Sequence, residues 1–381
     1  MRLHTLVPVL LLAACAPPDA SALFTTLDVR VAPNEQSAND AFVGVIASAD
    51  DELVVALPQA TDTVLTDAII ERFQAGVDVK VVSDIDQSSD PGIQDLVAAG
   101  VPLRLGDGGI GYFDFALNTD VAWTSDQVRM SHAYVVADRY DIISGTLAGG
   151  TSEAAVVLFQ LQGEDLAQDL WLEHNQIFGG SDATALTAFS APAKSQADVR
   201  WIYPTDTDVP VELWLGPQER VTKRTIDAIY TARKSIRLMS NELVNDGMVR
   251  ALQEKASWGF PVTAIVGPEF GSTSQPLSRE FQNNTPDVEK HRFDAVPDFP
   301  TVVLVDIEGG VDVTPRVYVL SHDLYSAARI YRNAEVITDQ LIDGNLFVLS
   351  DDRYEEGGEP GSPLQPIVDL FQDHLDRSGA F

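Results

Sequence analysis

Few side chains in this sequence are able to do chemistry, and they are unevenly placed. Of six histidines in 381 residues, two lie in runs that also hold an aspartate and are the candidates for nucleophilic or general acid–base work. His132 opens the run Ala133-Tyr134-Val135-Val136-Ala137 that ends at Asp138, and His322 lies in Ser321-His322-Asp323-Leu324. A second aspartate, Asp306, closes the apolar run Thr301 to Val305 as Asp138 closes the first. His174, His291 (between Lys290 and Arg292) and His374 read as surface or capping residues. Gly106-Asp107-Gly108-Gly109-Ile110-Gly111 satisfies G-x-G-x-x-G, but Tyr112-Phe113-Asp114-Phe115 follows it instead of a helix, so a flexible loop is expected. Asp84-Ile85-Asp86-Gln87-Ser88-Ser89-Asp90 offers closely spaced oxygens without the glycine and final glutamate of a calcium loop, and reads as a solvated turn. Neither G-x-S-x-G nor H-E-x-x-H occurs, and one cysteine cannot build a disulfide or a thiolate cluster. The sequence calls for no metal and no cofactor.

Charge narrows the partners. Lys plus Arg number 25 against 57 Asp plus Glu, a net charge of -32. A binder of nucleic-acid backbone needs a basic surface that releases counterions, so nucleic acid is excluded as a partner. The six lysines are Lys80, Lys194, Lys223, Lys234, Lys255 and Lys290. With 45% apolar residues the chain can fill one large core or two ordinary ones.

The elements that must position these groups come in two copies. Ala49 is echoed by Ala232, Glu71 by Glu254, Gly76 by Gly259 and Val79 by Val262, each pair 183 positions apart. Pro33-Asn34-Glu35 is likewise echoed by Pro217-Gln218-Glu219. Each copy reads strand, helix, buried strand, helix, strand: Leu27–Val31, a helix carrying Phe42, Val45 and Ile46, Glu52–Leu57, Val64–Gln74 and Val77–Val82. The second copy has Val211–Leu215, a helix carrying Ile226, Ile229 and Tyr230, Ser235–Met239, Met248–Trp258 and Val262–Val266. Later strands follow at Ala133–Ala137 and Tyr140–Ser144, and at Thr301–Val305 and Arg316–Leu320, and a helix at Glu164–Phe178 closes the first copy. The expected fold class is α/β: two tandem domains, each a mixed sheet flanked by helices, related by a pseudo-twofold axis. Residues 27–182 form the first domain, 183–208 a linker and 209–381 the second. Trp201, Tyr203 and Trp214 are expected to pack the seam between them.

The chain begins with a basic residue, Arg2, an apolar run from Leu6 to Leu12 and then Leu12-Ala13-Ala14-Cys15, too short to span a membrane as a helix. This resembles a bacterial lipoprotein signal. The resemblance implies cleavage after residue 14, lipidation of Cys15, a tether over residues 15–26, and a protein held in the cell envelope, with the outer membrane favoured because Ala16 is not aspartate. Removing residues 1–14 takes away Arg2 alone and leaves 24 basic against 57 acidic residues.

The doubled domain resembles the phospholipase D superfamily, whose late hairpin carries H-x-K-x-x-x-x-D followed by a G-S-x-N-like turn. The segments that carry the resemblance are Ser131-His132-Ala133-Tyr134-Val135-Val136-Ala137-Asp138 with the turn Ser144-Gly145-Thr146-Leu147-Ala148, and Phe299-Pro300-Thr301-Val302-Val303-Leu304-Val305-Asp306 with Ser321-His322-Asp323. Tyr331-Arg332-Asn333-Ala334-Glu335-Val336 looks like the segment after the turn. In that family one histidine attacks phosphorus, the other protonates the leaving oxygen, and the lysines and asparagines hold the phosphoryl oxygens. Here the His and Lys positions hold Ser131 and Ala133 in one copy and Phe299 and Thr301 in the other, and the asparagine positions hold Ala148 and Asp323. Asp138 and Asp306 remain, and without cationic partners they are expected to repel a phosphodiester. His132 is one place out of register, which on a strand turns a side chain to the opposite face. Two expectations result. The chain is an inactive member of this fold that binds an envelope protein or small ligand between its domains, or it is a phosphodiesterase using His132 and His322 as displaced catalysts.

Overall fold

The computed structural model describes residues 26–110, 112–114, 119–121, 129–178, 188–191, 201–207, 209–216, 221–241, 243, 245–267, 287–293, 299–321, 331–332, 335–336, 342–354 and 361–380. The first half runs β1 Thr26–Ala32, α1 Glu35–Ser48, β2 Glu52–Leu57, α2 Thr63–Ala75, β3 Asp78–Asp84, α3 Pro91–Ala99, β4 Leu103–Ile110, β5 Tyr112–Asp114, β6 Thr119–Val121, β7 Arg129–Met130, β8 Tyr134–Ala137, β9 Asp141–Gly145, β10 Val156–Gln162, α4 Glu164–Phe178 and β11 Ala188–Ala191. The second runs β12 Trp201–Ile202, β13 Val211–Leu215, α5 Val221–Thr231, β14 Ile236–Ser240, α6 Asp246–Ser257, β15 Val262–Val266, β16 Glu289–Arg292, β17 Thr301–Val305, β18 Arg316–Leu320. It closes with β19 Tyr331–Arg332, β20 Glu335–Val336, β21 Ile342–Asp343, β22 Asn345–Ser350, α7 Gln365–Arg377 and β23 Gly379–Ala380.

Local chemistry sets these bounds. The Asp62 carboxylate caps α2 by accepting the Val64 N–H, and Gly76 ends the helix at φ 98°, a left-handed value that suits glycine. Asn245 caps α6 in the same way. β2 and β14 are apolar on both faces because each is central in its sheet, with helices on one side and the other half of the molecule on the other.

The sheets have eight and nine strands, ordered β1-β10-β9-β8-β2-β3-β4-β11 and β12-β13-β22-β18-β17-β14-β15-β16-β23. Seven strands correspond one for one, from β1 with β13 to β4 with β16. The stretch read as a linker contributes β11 to the first sheet and β12 to the second. Two outer cores lie under α1 to α3 and under α5 and α6. The third core is shared: the inner faces of both sheets, α4 and α7 form one continuous apolar cluster. At its centre Phe159 of β10 stacks on Phe347 of β22, with centroids 4.3 Å apart and planes 10° from parallel. These are equivalent residues of the two halves, so the pseudo-twofold axis passes through the stack.

Strand directions fix two ends of the molecule. The ends of β2 and β14 meet at a seam, where β7 pairs in parallel with β21. Their starts lie at the far end, where the Leu27 N–H donates to the Asp206 carboxylate across the halves at 3.2 Å.

Candidate functional site

The positions of the family motif straddle the seam. Ser131 is half-buried, and Ala133 faces the outer core under α1. The Ala133 carbonyl accepts from the Gly145 N–H at 3.0 Å and from the Ser144 hydroxyl at 2.9 Å. Ser144 in turn accepts from the Asn345 side-chain amide of the other half at 3.0 Å. The Asn345 N–H donates to the Ser321 hydroxyl at 2.9 Å, and the Ser321 N–H returns a bond to the Asn345 carbonyl at 3.0 Å. The Ser144–Asn345 bond and the β7–β21 ladder join the two halves across the seam. Thr301 is buried, its hydroxyl 3.1 Å from that of Ser240. Phe299 packs edge-on against Phe293 at 5.7 Å and against His374 at the same distance. Aliphatic and aromatic carbon has taken two of the four His/Lys positions, and hydroxyls the other two. A hydroxyl can attack phosphorus only with a base to take its proton, and neither motif supplies a lysine or an in-register histidine.

His132 faces the opposite side of its strand, as the alternation requires. It is fully buried against α4, Nε2 lying 3.5 Å from Oε1 of the equally buried Glu173, with its ring 5.7 Å from Tyr134. Cys15, His322 and Asp323 lie outside the described residues, as does Gly111.

Asp138 and Asp306 sit roughly 20 Å from Ser131 and Phe299 along their strands, at about 3.3 Å per residue. Both adopt left-handed backbone, φ 52° and 58°. The Asp138 carboxylate accepts the N–H groups of Asp50, Asp51 and Glu52 at 2.9, 2.8 and 2.9 Å. Asp306 accepts those of Arg233, Lys234 and Ser235 at 2.8, 2.6 and 3.2 Å. The donors are 183 positions apart, the same register the sequence repeat shows. Burial pushes the Asp138 carboxyl up, but three backbone donors outweigh it and hold it below the ordinary aspartate value. The expectation that these carboxylates repel a phosphate at the motif is therefore wrong: they face the far end and tie the turn before β2 and β14 to the hairpin.

Two solved proteins match this chain over nearly its whole length. No protein-family model matches the chain, and no curated protein matches its sequence. Phosphatidylserine synthase from Haemophilus influenzae Rd KW20 superposes with a TM-score of 0.63 at 10% identity, over 93% of this chain and 87% of that one. Polyphosphate kinase from Porphyromonas gingivalis gives 0.56 at 10% identity, over 92% of this chain and 50% of that one. Nuc from Salmonella typhimurium, a phospholipase D family member, covers 45% of this chain with 98% of its own at 18% identity and a TM-score of 0.34. The fold is tandem phospholipase D-like. At such identities the likeness is one of fold and leaves the chemistry to be argued from the side chains.

In this phospholipase D-like frame several groups depart from the sequence reading. His174 on α4 is fully buried, 6.2 Å from the Tyr134 ring and 6.0 Å from Phe178. Its counterpart His374 on α7 is buried against Phe293, its Nδ1 2.9 Å from the Leu370 carbonyl. Neither is a surface residue. Burial, reinforced by the Lys80 ammonium and by His132, drives His174 down to about 3, and burial lowers His374 as well. Asp169-Leu170-x-x-Glu173-His174 and Asp369-Leu370-x-x-Asp373-His374 repeat 200 positions apart, a signal the 183 register hides. Gly106–Ile110 is strand: Gly106 pairs with both β3 and β11, and Gly109 and Ile110 pair with β11. His291 lies within β16, its Nε2 3.0 Å from Glu289. Trp214 packs the outer core under α5, and Tyr203 is exposed, so neither fills the seam. Two of the three carboxylates at residues 84–90 are taken up by backbone: Asp84 accepts from the Asp86 and Met130 N–H groups, and Asp90 from that of Ala60.

One buried network went unseen. Glu35 accepts from the Gln59 amide at 2.9 Å, the Gly150 N–H at 2.8 Å and the Ser152 N–H at 2.9 Å. Asn39 bridges Asp62 and Gly150, fixing the turn after β9. Gly149 (φ 87°) must be glycine there, since a Cβ would lie 1.9 Å from the Gln59 carbonyl oxygen. A pocket of about 250 Å³ opens at the far end, among Thr207, Val209, Asp351, Arg353 and Ser362.

Proposed function

We propose that this protein is a lipid-anchored envelope lipoprotein whose phospholipase D-like fold serves binding or scaffolding and not catalysis. One observation carries this reading: both His/Lys positions are replaced, and Phe299 and Thr301 are packed into cores instead of exposed to a substrate. The solved relatives are by name a phospholipid synthase and a polyphosphate kinase, so the fold is compatible with phosphate chemistry. The departure is confined to the groups that would perform it. Cys15 supplies the anchor, and the bacterial outer membrane is its favoured destination. The test is phosphodiester turnover by the purified protein, with bis-p-nitrophenyl phosphate and phosphatidylglycerol as substrates. The expected rate equals that of buffer. Turnover above it that is lost in His132→Ala would establish the displaced-histidine phosphodiesterase, which the burial of His132 against Glu173 disfavours.

A further inference from the structure

The described residues include six large apolar side chains that are strongly exposed, and four of them share one end of the molecule: Tyr203 (65%), Tyr230 (36%), Trp258 (60%) and Val311 (90%). The placement follows from topology. Helices α5 and α6 run back from the seam, so Tyr230 and Trp258 close them at the starts of β14 and β15. Tyr203 follows β12, antiparallel to β13. Val311 tops the loop joining β17 to β18, which Gly309 and Gly310 turn with positive φ.

The same end carries two exposed cations. The Arg233 guanidinium donates to the Asp312 carbonyl at 2.9 Å, and the Lys234 ammonium donates to the Gly309 carbonyl, so each is braced by backbone beneath Val311. The fold does not need any of this. At the equivalent positions the first half has Ala47 for Tyr230, Ala75 for Trp258, and Asp50 and Asp51 for Arg233 and Lys234. Its β8–β9 turn is three residues long, with no counterpart of Val311. Aromatic, aliphatic and basic groups gather on one half of one end, with the carboxylates of Glu254, Glu308 and Asp312 among them.

We propose that this half of the far end is a membrane-docking face, resting in the headgroup layer of the bilayer that holds the anchor. Amphipathic aromatic rings favour the boundary between headgroups and acyl chains, and a few cations beside them are attracted to anionic lipid. The chain itself supplies the second argument: the described residues begin at Thr26 on this end, eleven positions after Cys15. A second contact beside an acyl anchor fixes how the folded body sits on the bilayer surface. This inference rests on the anchor reading of Cys15.

The experiment uses the full lipidated protein in vesicles of phosphatidylethanolamine and phosphatidylglycerol with brominated acyl chains, which quench tryptophan at the bilayer boundary. Five tryptophans are present, and Trp258 is expected to account for about half of the quenching or more, as an interfacial side chain should. Trp258→Phe therefore loses that share, and Val311→Asp on its exposed loop lowers quenching while leaving thermal unfolding unchanged. Vesicle association through Cys15 with Trp258 unquenched overturns the docking face and leaves the anchor standing. Association that survives Cys15→Ser with Trp258 quenched overturns the anchor and keeps the face.

Discussion

His174 makes the shared core sensitive to acid, and the effect can be sized. The ring lies fully buried between Tyr134 and Phe178, and among the described residues neither nitrogen meets a full hydrogen bond. The folded value near 3 compares with 6.5 in an open chain. Because the unfolded chain takes up a proton that the folded chain refuses, stability is complete above about pH 7.5 and falls as the pH drops through 6.5. The loss approaches 1.36 kcal/mol per pH unit and levels off near the folded value. From pH 8 to pH 5 the ring alone should cost about 2 kcal/mol. Acidification also relieves repulsion in a chain of net charge -32, an opposing effect that a variant shares and that cancels in a comparison. Urea unfolding of the wild type and of His174→Leu at pH 8, 7, 6 and 5 isolates the ring. The stability difference, wild type minus variant, should fall by about 2 kcal/mol over that range. If Leu does not fold, His174→Asn removes the same titration. A difference independent of pH would refute the assignment of a neutral, buried imidazole.

Three further outcomes are expected. Asp138→Ala and Asp306→Ala should each lower unfolding stability by about 1–3 kcal/mol, because each strands three backbone donors. The Asp138 contribution, held by a lowered carboxyl, is present above about pH 3.8 and lost as the pH falls further, which acid titration of the unfolding midpoint checks. Gly149→Ala should cost about 2 kcal/mol or more, since both the left-handed backbone and the Gln59 carbonyl oppose a methyl group, measured as a shift in thermal midpoint. Ser144→Ala and Asn345→Ala, combined in a double-mutant cycle, should show a coupling of about 0.5–3 kcal/mol, the signature of a direct bond across the seam.

Much of this was legible from pattern. β13, β15, β17, β18 and α4 have the bounds the apolar runs predict, because strands buried on both faces and a helix with a clear stripe declare themselves locally. The facing of His132 follows from alternation alone. What escaped depends on neighbours distant in sequence. His174 and His374 look polar and peripheral until two sheets close over α4 and α7. Their repeat was hidden because the register drifts between the strands and the closing helices, reaching 200 through the fourteen residues between β22 and α7 where a single residue joins β10 to α4. Gly106–Gly109 carries no strand propensity of its own and is strand because β11, joined at Gly106 by β3, pairs alongside it. Asp138 and Asp306 looked like remnants of chemistry; their role appears only when the backbone donors of the turn before β2 and β14 are in view.

The stack of Phe159 on Phe347 also sets a clock. Helix α4 covers part of the inner face of the first sheet early, but the partner of Phe159 is Phe347, so ribosomes must add about 185 residues after β10 before the stack can form. At about 5–20 residues per second, this leaves roughly 10–40 s in which Phe159 has no mate. A half-made chain is therefore a sticky intermediate with a matching surface on every sibling of its own age. Export in an unfolded state, or a chaperone that shields residues 156–161, would spare the cell from such premature pairing.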